Sequence, residues 1–87
     1  MADIHLPPTL PPLFHDLPRR LDIDAATVEA AIARLDEQWP GVRDRLCEAG
    51  PALRHHINVY VDRERAGLAT PLTEHSRVDV IAAISGG

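Results

Sequence analysis

The chain has 87 residues, a net charge of −4 at neutral pH and only three aromatic side chains. A chain of this length forms one domain with a modest core, so a deep substrate pocket is not expected. The acidic balance argues against a nucleic acid or an anionic membrane as a partner, and no apolar run is long enough for a transmembrane helix. With no positively charged leader before an apolar stretch, we expect a cytoplasmic protein.

The chain opens with two short strands joined by a proline-rich loop. Residues 3–6 and 20–23 alternate polar and apolar side chains, which predicts strands with one buried face. Proline fixes φ and removes a hydrogen-bond donor, so the connection should be a stiff loop, with one helical turn near Leu13 and Phe14. Its prolines are Pro7, Pro8, Pro11, Pro12 and Pro18.

A single amphipathic helix is predicted after Thr27, which is a suitable N-cap. The apolar side chains recur at helical spacing up to Trp39, and Pro40-Gly41 should end the helix. A short helical turn is expected over residues 42–46. The residues on the apolar stripe are Val28, Ala31, Ile32, Leu35 and Trp39.

Two further strands complete the pattern. Residues 56–62 alternate clearly, a loop is expected from Arg63 to Pro71, and the last strand should start near Arg77. The order strand, strand, helix, strand, strand predicts an α+β fold in which one helix covers a mixed sheet of four or five strands. We expect the outer face of the last two long strands to bind partners, through Asn58, Tyr60, Ile81 and Ala83.

The most informative segment is the end of the chain, where an apolar run leads directly into Ser85-Gly86-Gly87. Glycine has no Cβ, so such a tail can thread a passage too narrow for other residues. We therefore divide the chain into a domain of residues 1–81 and a tail of residues 82–87, which includes Ile84. The main-chain carboxylate of Gly87 is the predicted reacting group.

This arrangement resembles the ubiquitin-like β-grasp sulfur carriers of the MoaD/ThiS family. The segments that carry the resemblance, in chain order, are Ile4-His5-Leu6-Pro7, Ala26-Thr27-Val28, Trp39-Pro40-Gly41-Val42, Ile57-Asn58-Val59-Tyr60-Val61, Thr70-Pro71-Leu72 and Ile84-Ser85-Gly86-Gly87. Two departures stand out. Glu74-His75-Ser76 replaces a common Asp-Gly-Asp turn, so either His75 has a positive φ or the turn differs. Ala82 and Ala83 occupy positions where relatives often have proline.

The resemblance implies a carrier that is a substrate of other enzymes and not an enzyme itself. An ATP-dependent adenylating enzyme would activate the Gly87 carboxylate, and a sulfur donor would convert it to a thiocarboxylate. The sulfur would then pass to a cysteine synthase or to the large subunit of molybdopterin synthase. ATP would be bound by the activating enzyme, so no cofactor and no metal are expected on this chain. The alternatives are a protein modifier conjugated through Gly87 and a non-covalent β-grasp interaction module.

Other chemically reactive side chains point less clearly to a site. Adjacent residues on a strand face opposite sides, so His55 and His56 are poor joint ligands for one metal ion. Cys47 lacks a Cys-x-x-Cys or basic context and is expected to be a half-buried structural thiol. Arg77 is a candidate to pair with acidic groups of a partner, although surface arginines are commonly just solvated.

Overall fold

The computed structural model describes residues 1–50 and 52–83. Its helices are α1 (Val28–Gln38) and the short α2 (Val42–Leu46), and a 3-10 turn spans Pro11–Leu13. Its strands are β1 (Ala2–His5), β2 (Arg20–Ile23), β3 (Cys47–Glu48), β4 (Ala52–Leu53), β5 (Ile57–Val61), β6 (Glu64–Ala66) and β7 (Arg77–Ala82).

Five strands form one mixed sheet in the order β2-β1-β7-β5-β6. The two strands nearest the ends of the described chain, β1 and β7, are parallel neighbours, and the other pairs are antiparallel. The last strand therefore lies in the centre of the sheet. This arrangement confirms the predicted α+β fold, a ubiquitin-like β-grasp with one main helix.

Helix α1 begins where the sequence predicts. The hydroxyl of Thr27 accepts a hydrogen bond from the amide of Ala30 at 3.1 Å, so one of the free amides of the first turn is satisfied. The helix buries Val28, Ala31, Ile32 and Leu35. Burying an aliphatic side chain contributes about 1.5–3 kcal/mol, so this stripe supplies much of the attachment of α1 to the sheet.

The core lies between α1 and one face of the sheet. Alternate strand residues point into it, and Val59, at the centre of β5, is 0% exposed. The inward side chains of the three central strands are Ala2 and Ile4 on β1, Val78 and Val80 on β7, and Ile57 and Val59 on β5. The opposite face of the same strands carries mainly polar and charged residues, with Ile81 as an exposed apolar exception, so the alternation seen in the sequence separates core from surface.

The corner between α1 and α2 is held by one carboxylate. Oδ1 of Asp36 accepts hydrogen bonds from the amides of Gly41 at 3.0 Å and Arg43 at 3.1 Å. Gly41 has a φ of 106°, and a Cβ there would lie 3.3 Å from the ring of Phe14. This corner therefore favours glycine for its backbone angle, and a Cβ would also crowd the ring of Phe14.

The predicted loop from Arg63 to Pro71 is wrong in part, because Glu64–Ala66 form edge strand β6, paired with Val59–Val61. The two-residue turn between β5 and β6 consists of Asp62 and Arg63, with φ values of 51° and 73°. Positive φ at both positions is typical of a type I′ hairpin, which usually contains glycine. Because this turn contains no glycine, the sequence pattern did not predict the hairpin.

The turn before β7 differs from the glycine-containing form, and His75 is not among the described residues with positive φ. The amide of Thr73 instead donates to the hydroxyl of Ser76 at 2.9 Å, and the amide of Ser76 donates to the carbonyl of Thr73 at 3.1 Å. Ser76 is buried. These reciprocal hydrogen bonds stabilise the turn without a left-handed residue.

Candidate functional site

The predicted tail follows the central strand β7, which ends at Ala82. Ala82 is paired with Ile57, and the amide of Ala83 donates to the carbonyl of His56 at 2.7 Å. The strand is thus hydrogen-bonded to β5 up to the last described residue. The predicted tail residues Ile84, Ser85, Gly86 and Gly87 lie outside the described residues, and the proposed division at residue 82 stays a prediction.

The four predicted partner-binding residues share the outer face of the sheet. Asn58 is directly opposite Ile81 across the β5–β7 pair, and Tyr60 follows two residues along β5. Ile81 is 47% exposed and Ala83 is exposed, whereas Asn58 and Tyr60 are half-buried. The structure therefore brings these side chains to one surface at the end of β7; their role in binding stays a prediction.

A layer of paired charges occupies the outer face beside this patch. The guanidinium of Arg20 donates two hydrogen bonds to the carboxylate of Asp3, at 2.9 and 3.1 Å, and His5 lies 3.0 Å from the same carboxylate. These hydrogen bonds, from Arg20 first and then His5, lower the pKa of Asp3. Arg77 pairs with Asp79 of its own strand at 3.1 Å, so it is engaged within the chain.

Two grooves beside the end of β7 were not predicted from the sequence. On the outer face, a groove of about 310 Å³ lies between β7 and the segment from Pro7 to Thr9. A cavity of about 170 Å³ lies on the core side and is lined by Leu10, Leu13 and Ala82, among others. Both depend on how the proline-rich loop returns across the sheet, which no local pattern specifies.

The remaining reactive side chains do not form a catalytic cluster in the described part of the chain. Cys47 is only 7% exposed, and its burial raises the pKa of the thiol, which disfavours the nucleophilic thiolate. The rings of His55 and His56 pack edge to face, with their centroids 5.7 Å apart. Residues 1–50 and 52–83 contain no group of three or more His, Cys, Asp or Glu side chains arranged to hold a metal ion.

None of the helices within residues 1–50 and 52–83 combines the length and the apolar character that crossing a bilayer requires.

Solved structures with the same fold cover nearly all of the chain. The CysO of Amycolatopsis orientalis, in a complex with BexX, superposes with a TM-score of 0.86 at 23% identity over 100% of both chains. The CysO of Mycobacterium tuberculosis gives 0.84 at 24% identity, over 97% of this chain and 100% of its own. SAMP1 of Haloferax volcanii gives 0.70 at 28% identity, over 99% and 98%.

Comparison of the sequence with curated proteins finds no match. The family model of the ThiS family, in contrast, matches residues 17–87, which is most of the chain and includes the central strand β7. Together with the β-grasp sheet and the Gly-Gly ending, this match shows that the chain belongs to the ThiS family, whose members are ubiquitin-like sulfur carriers.

Proposed function

We propose that this protein carries sulfur as a thiocarboxylate on Gly87. The observation that supports the proposal best is that a member of the ThiS family has Ser85-Gly86-Gly87 two residues after the end of its central strand β7. A carboxylate resists nucleophilic attack because of its charge and resonance, so it must be activated first. The carrier needs only to present this group, and we propose that it is not itself an enzyme.

Activation proceeds in two balanced steps. An oxygen of the Gly87 carboxylate attacks the α-phosphorus of ATP, which forms an acyl-adenylate and releases pyrophosphate. Hydrosulfide, or an equivalent sulfur donor, then attacks the acyl carbon and displaces AMP, which leaves the thiocarboxylate and one proton. ATP is bound and consumed by the adenylating partner, so the carrier needs no cofactor of its own.

The fold suits this role because the tail is attached to the most constrained part of the sheet. Fully extended, residues 82–87 would reach about 20 Å, enough to enter a partner's active site while the domain stays outside. The outer patch of Asn58, Tyr60, Ile81 and Ala83 lies beside the tail's origin and would contact the adenylating enzyme. CysO, which has the same fold, has been crystallised in a complex with BexX.

We further propose that the sulfur is delivered to a biosynthetic enzyme, either a cysteine synthase or the large subunit of molybdopterin synthase. The likeness in shape to two CysO proteins supports a carrier of this kind, and binding distinguishes the destinations. Capture by a pyridoxal-phosphate cysteine synthase would support the first. A stable complex with a molybdopterin synthase large subunit would support the second.

The experiment that tests the proposal is mass spectrometry of the C-terminal peptide. The protein is incubated with ATP, a sulfur donor and a cognate adenylating enzyme, and the peptide containing Gly87 is fragmented. Fragmentation is essential, because replacing oxygen by sulfur adds nearly the same mass as oxidising Met1 or Cys47. Sulfur confined to Gly87 is the expected result. An unmodified Gly87, with a control carrier modified in parallel, would refute the proposal.

A second candidate function is conjugation to other proteins through Gly87. The likeness to SAMP1 at 28% identity favours it, because the name SAMP1 stands for small archaeal modifier protein 1. The same activated carboxylate would serve both functions. A ladder of conjugates in cells, lost on deletion of Gly87, would support conjugation. The chain contains no lysine, so copies of this protein could not be linked to one another through lysine side chains.

The remaining alternative is a non-covalent interaction module. It would be the better description if deletion of Gly86 and Gly87 left the function intact.

A further inference from the structure

A groove of about 660 Å³ lies at the corner between α1 and α2. Binding sites in proteins commonly have volumes of this size. The apolar part of its lining comes from Leu13 and Phe14, at the end of the 3-10 turn, and from Pro40. The ring of Phe14 packs on the backbone of Gly41, so this part is held in place. None of the lining residues belongs to the outer patch described above, so the groove is a separate surface.

The polar part of the lining carries an excess of basic side chains. It comes from α2 and from the segment between β4 and β5, and it consists of Asp44, Arg45, Arg54 and His56. Residues 42–56 contain three arginines and two acidic residues, whereas the whole chain contains nine arginines and 13 acidic residues. The groove is therefore a basic site on an acidic protein, and its charge favours an acidic ligand.

Arg54 is held in position to bind such a ligand. Its Nε donates to the carbonyl of Asp44 at 2.8 Å, and its main-chain amide donates to the carbonyl of Leu46 at 3.0 Å. Its two terminal nitrogens, and the whole guanidinium of Arg45, have no hydrogen-bond or ion-pair partner within residues 1–50 and 52–83. The carboxylate of Asp44 lines the same groove but pairs with neither arginine. Both guanidinium groups can therefore bind carboxylates of a ligand, and that of Arg54 needs little further ordering to do so.

We propose that this groove binds an acidic segment of a partner protein. An apolar side chain of the segment would cover Leu13 and Phe14, and neighbouring carboxylates would pair with Arg45 and Arg54. A small inorganic anion fits less well, because it would leave Leu13 uncovered, and Leu13 is 52% exposed. The partner is distinct from the adenylating enzyme, which we assign to the outer patch. Binding here uses only the folded domain and does not depend on the chemistry at Gly87.

The test is NMR of the isotopically labelled full-length chain titrated with short capped peptides. The probe is a leucine flanked on each side by two glutamates, and two control peptides replace either the glutamates by glutamine or the leucine by alanine. We expect the probe to shift the Nε–H signal of Arg54 and the amide of Gly41, and to bind several-fold more tightly than either control. Absence of a shift at Arg54 at millimolar probe would overturn the proposal. An equal response to inorganic phosphate or to the alanine peptide would also overturn it, because the groove would then bind simple anions only.

Charge reversal of one arginine tests the ionic contacts. Arg45 is exposed and its side chain has no partner among the described residues, so Arg45→Glu should fold normally. This variant should bind the glutamate peptide several-fold more weakly and should prefer a peptide with lysine in place of glutamate. The matched control is Arg34→Glu, at an exposed arginine of α1 outside the groove, and it should bind as the parent does. Equal losses in the two variants would overturn the proposal, because the attraction would then come from the charge of the whole chain.

Discussion

Replacing Asp36 by alanine should destabilise the protein by about 2 kcal/mol. Its Oδ1 accepts from the amides of Gly41 and Arg43, and alanine leaves both donors without that partner. A hydrogen bond to a charged group contributes about 1.5–3 kcal/mol, but the one to Arg43 is exposed and contributes less. Loss of a capping side chain typically costs about 1 kcal/mol. For a domain of this size, the melting temperature should fall by about 8–16 °C.

Two further variants isolate the hydrogen bonds from other effects of the substitution. Asp36→Asn keeps an acceptor oxygen in place and should cost about 1 kcal/mol or less. Glu37→Ala alters the neighbouring exposed position and should change the free energy of unfolding by less than about 0.5 kcal/mol. Urea unfolding, followed by circular dichroism, measures all three. If Asp36→Ala cost no more than Glu37→Ala, the carboxylate would not hold the corner, and the reasoning would be refuted.

Three other substitutions test the surface, the charge layer and the hairpin. Ile81→Asp should weaken binding to the adenylating enzyme at least about tenfold, since it removes apolar contact and places a charge in the interface. Leu13→Asp, at a residue 52% exposed against 47% for Ile81, is the control, and equal losses in calorimetry would contradict a role for the patch. Because the pKa of Asp3 is lowered on folding from its ordinary value near 3.8, its contribution to stability is present above that value and is lost as the pH falls through the folded pKa. Urea unfolding from about pH 6 to about pH 2 should therefore show a shallower acid loss in Arg20→Ala than in the parent, and identical slopes would exclude the pairing as a cause. Finally, Arg63→Gly should stabilise the protein by about 0.5 kcal/mol, because relief of the positive φ outweighs the greater freedom of glycine in the unfolded chain; a lower melting temperature would contradict this.

The elements predicted correctly are those with a strong local signal. The alternation in β5 and β7 separates buried from exposed residues without knowledge of their partners, and Thr27 marks the start of α1. Edge strand β6 was missed because Glu64-Arg65-Ala66 is mostly polar and its turn contains no glycine. An edge strand buries little, so its composition carries little of the usual signal.

In the candidate site, too, the sequence predicted which face a residue lies on but not which residues it contacts. Alternation placed Asn58 and Ile81 on the outer face, but only the strand register shows that they lie directly opposite each other. The pair between Asp3 and Arg20 joins residues that are 17 positions apart, and nothing local in the sequence links them. Asp36 resembles any solvated helix residue until the chain turns back at Gly41. Such contacts depend on tertiary geometry, which periodicity does not contain.

The parallel pairing of β1 with β7 also determines how the domain would respond to a pull on its ends. The chain enters β1 at Ala2, beside the start of β7, and leaves β7 at Ala82, at the far end of the sheet. Tension applied between the two ends would slide these neighbouring strands past one another, so their hydrogen bonds would be loaded together and not one after another. A force applied between Ala2 and Ala82 would therefore have to break the hydrogen bonds between β1 and β7 together, which is harder than separating them one at a time.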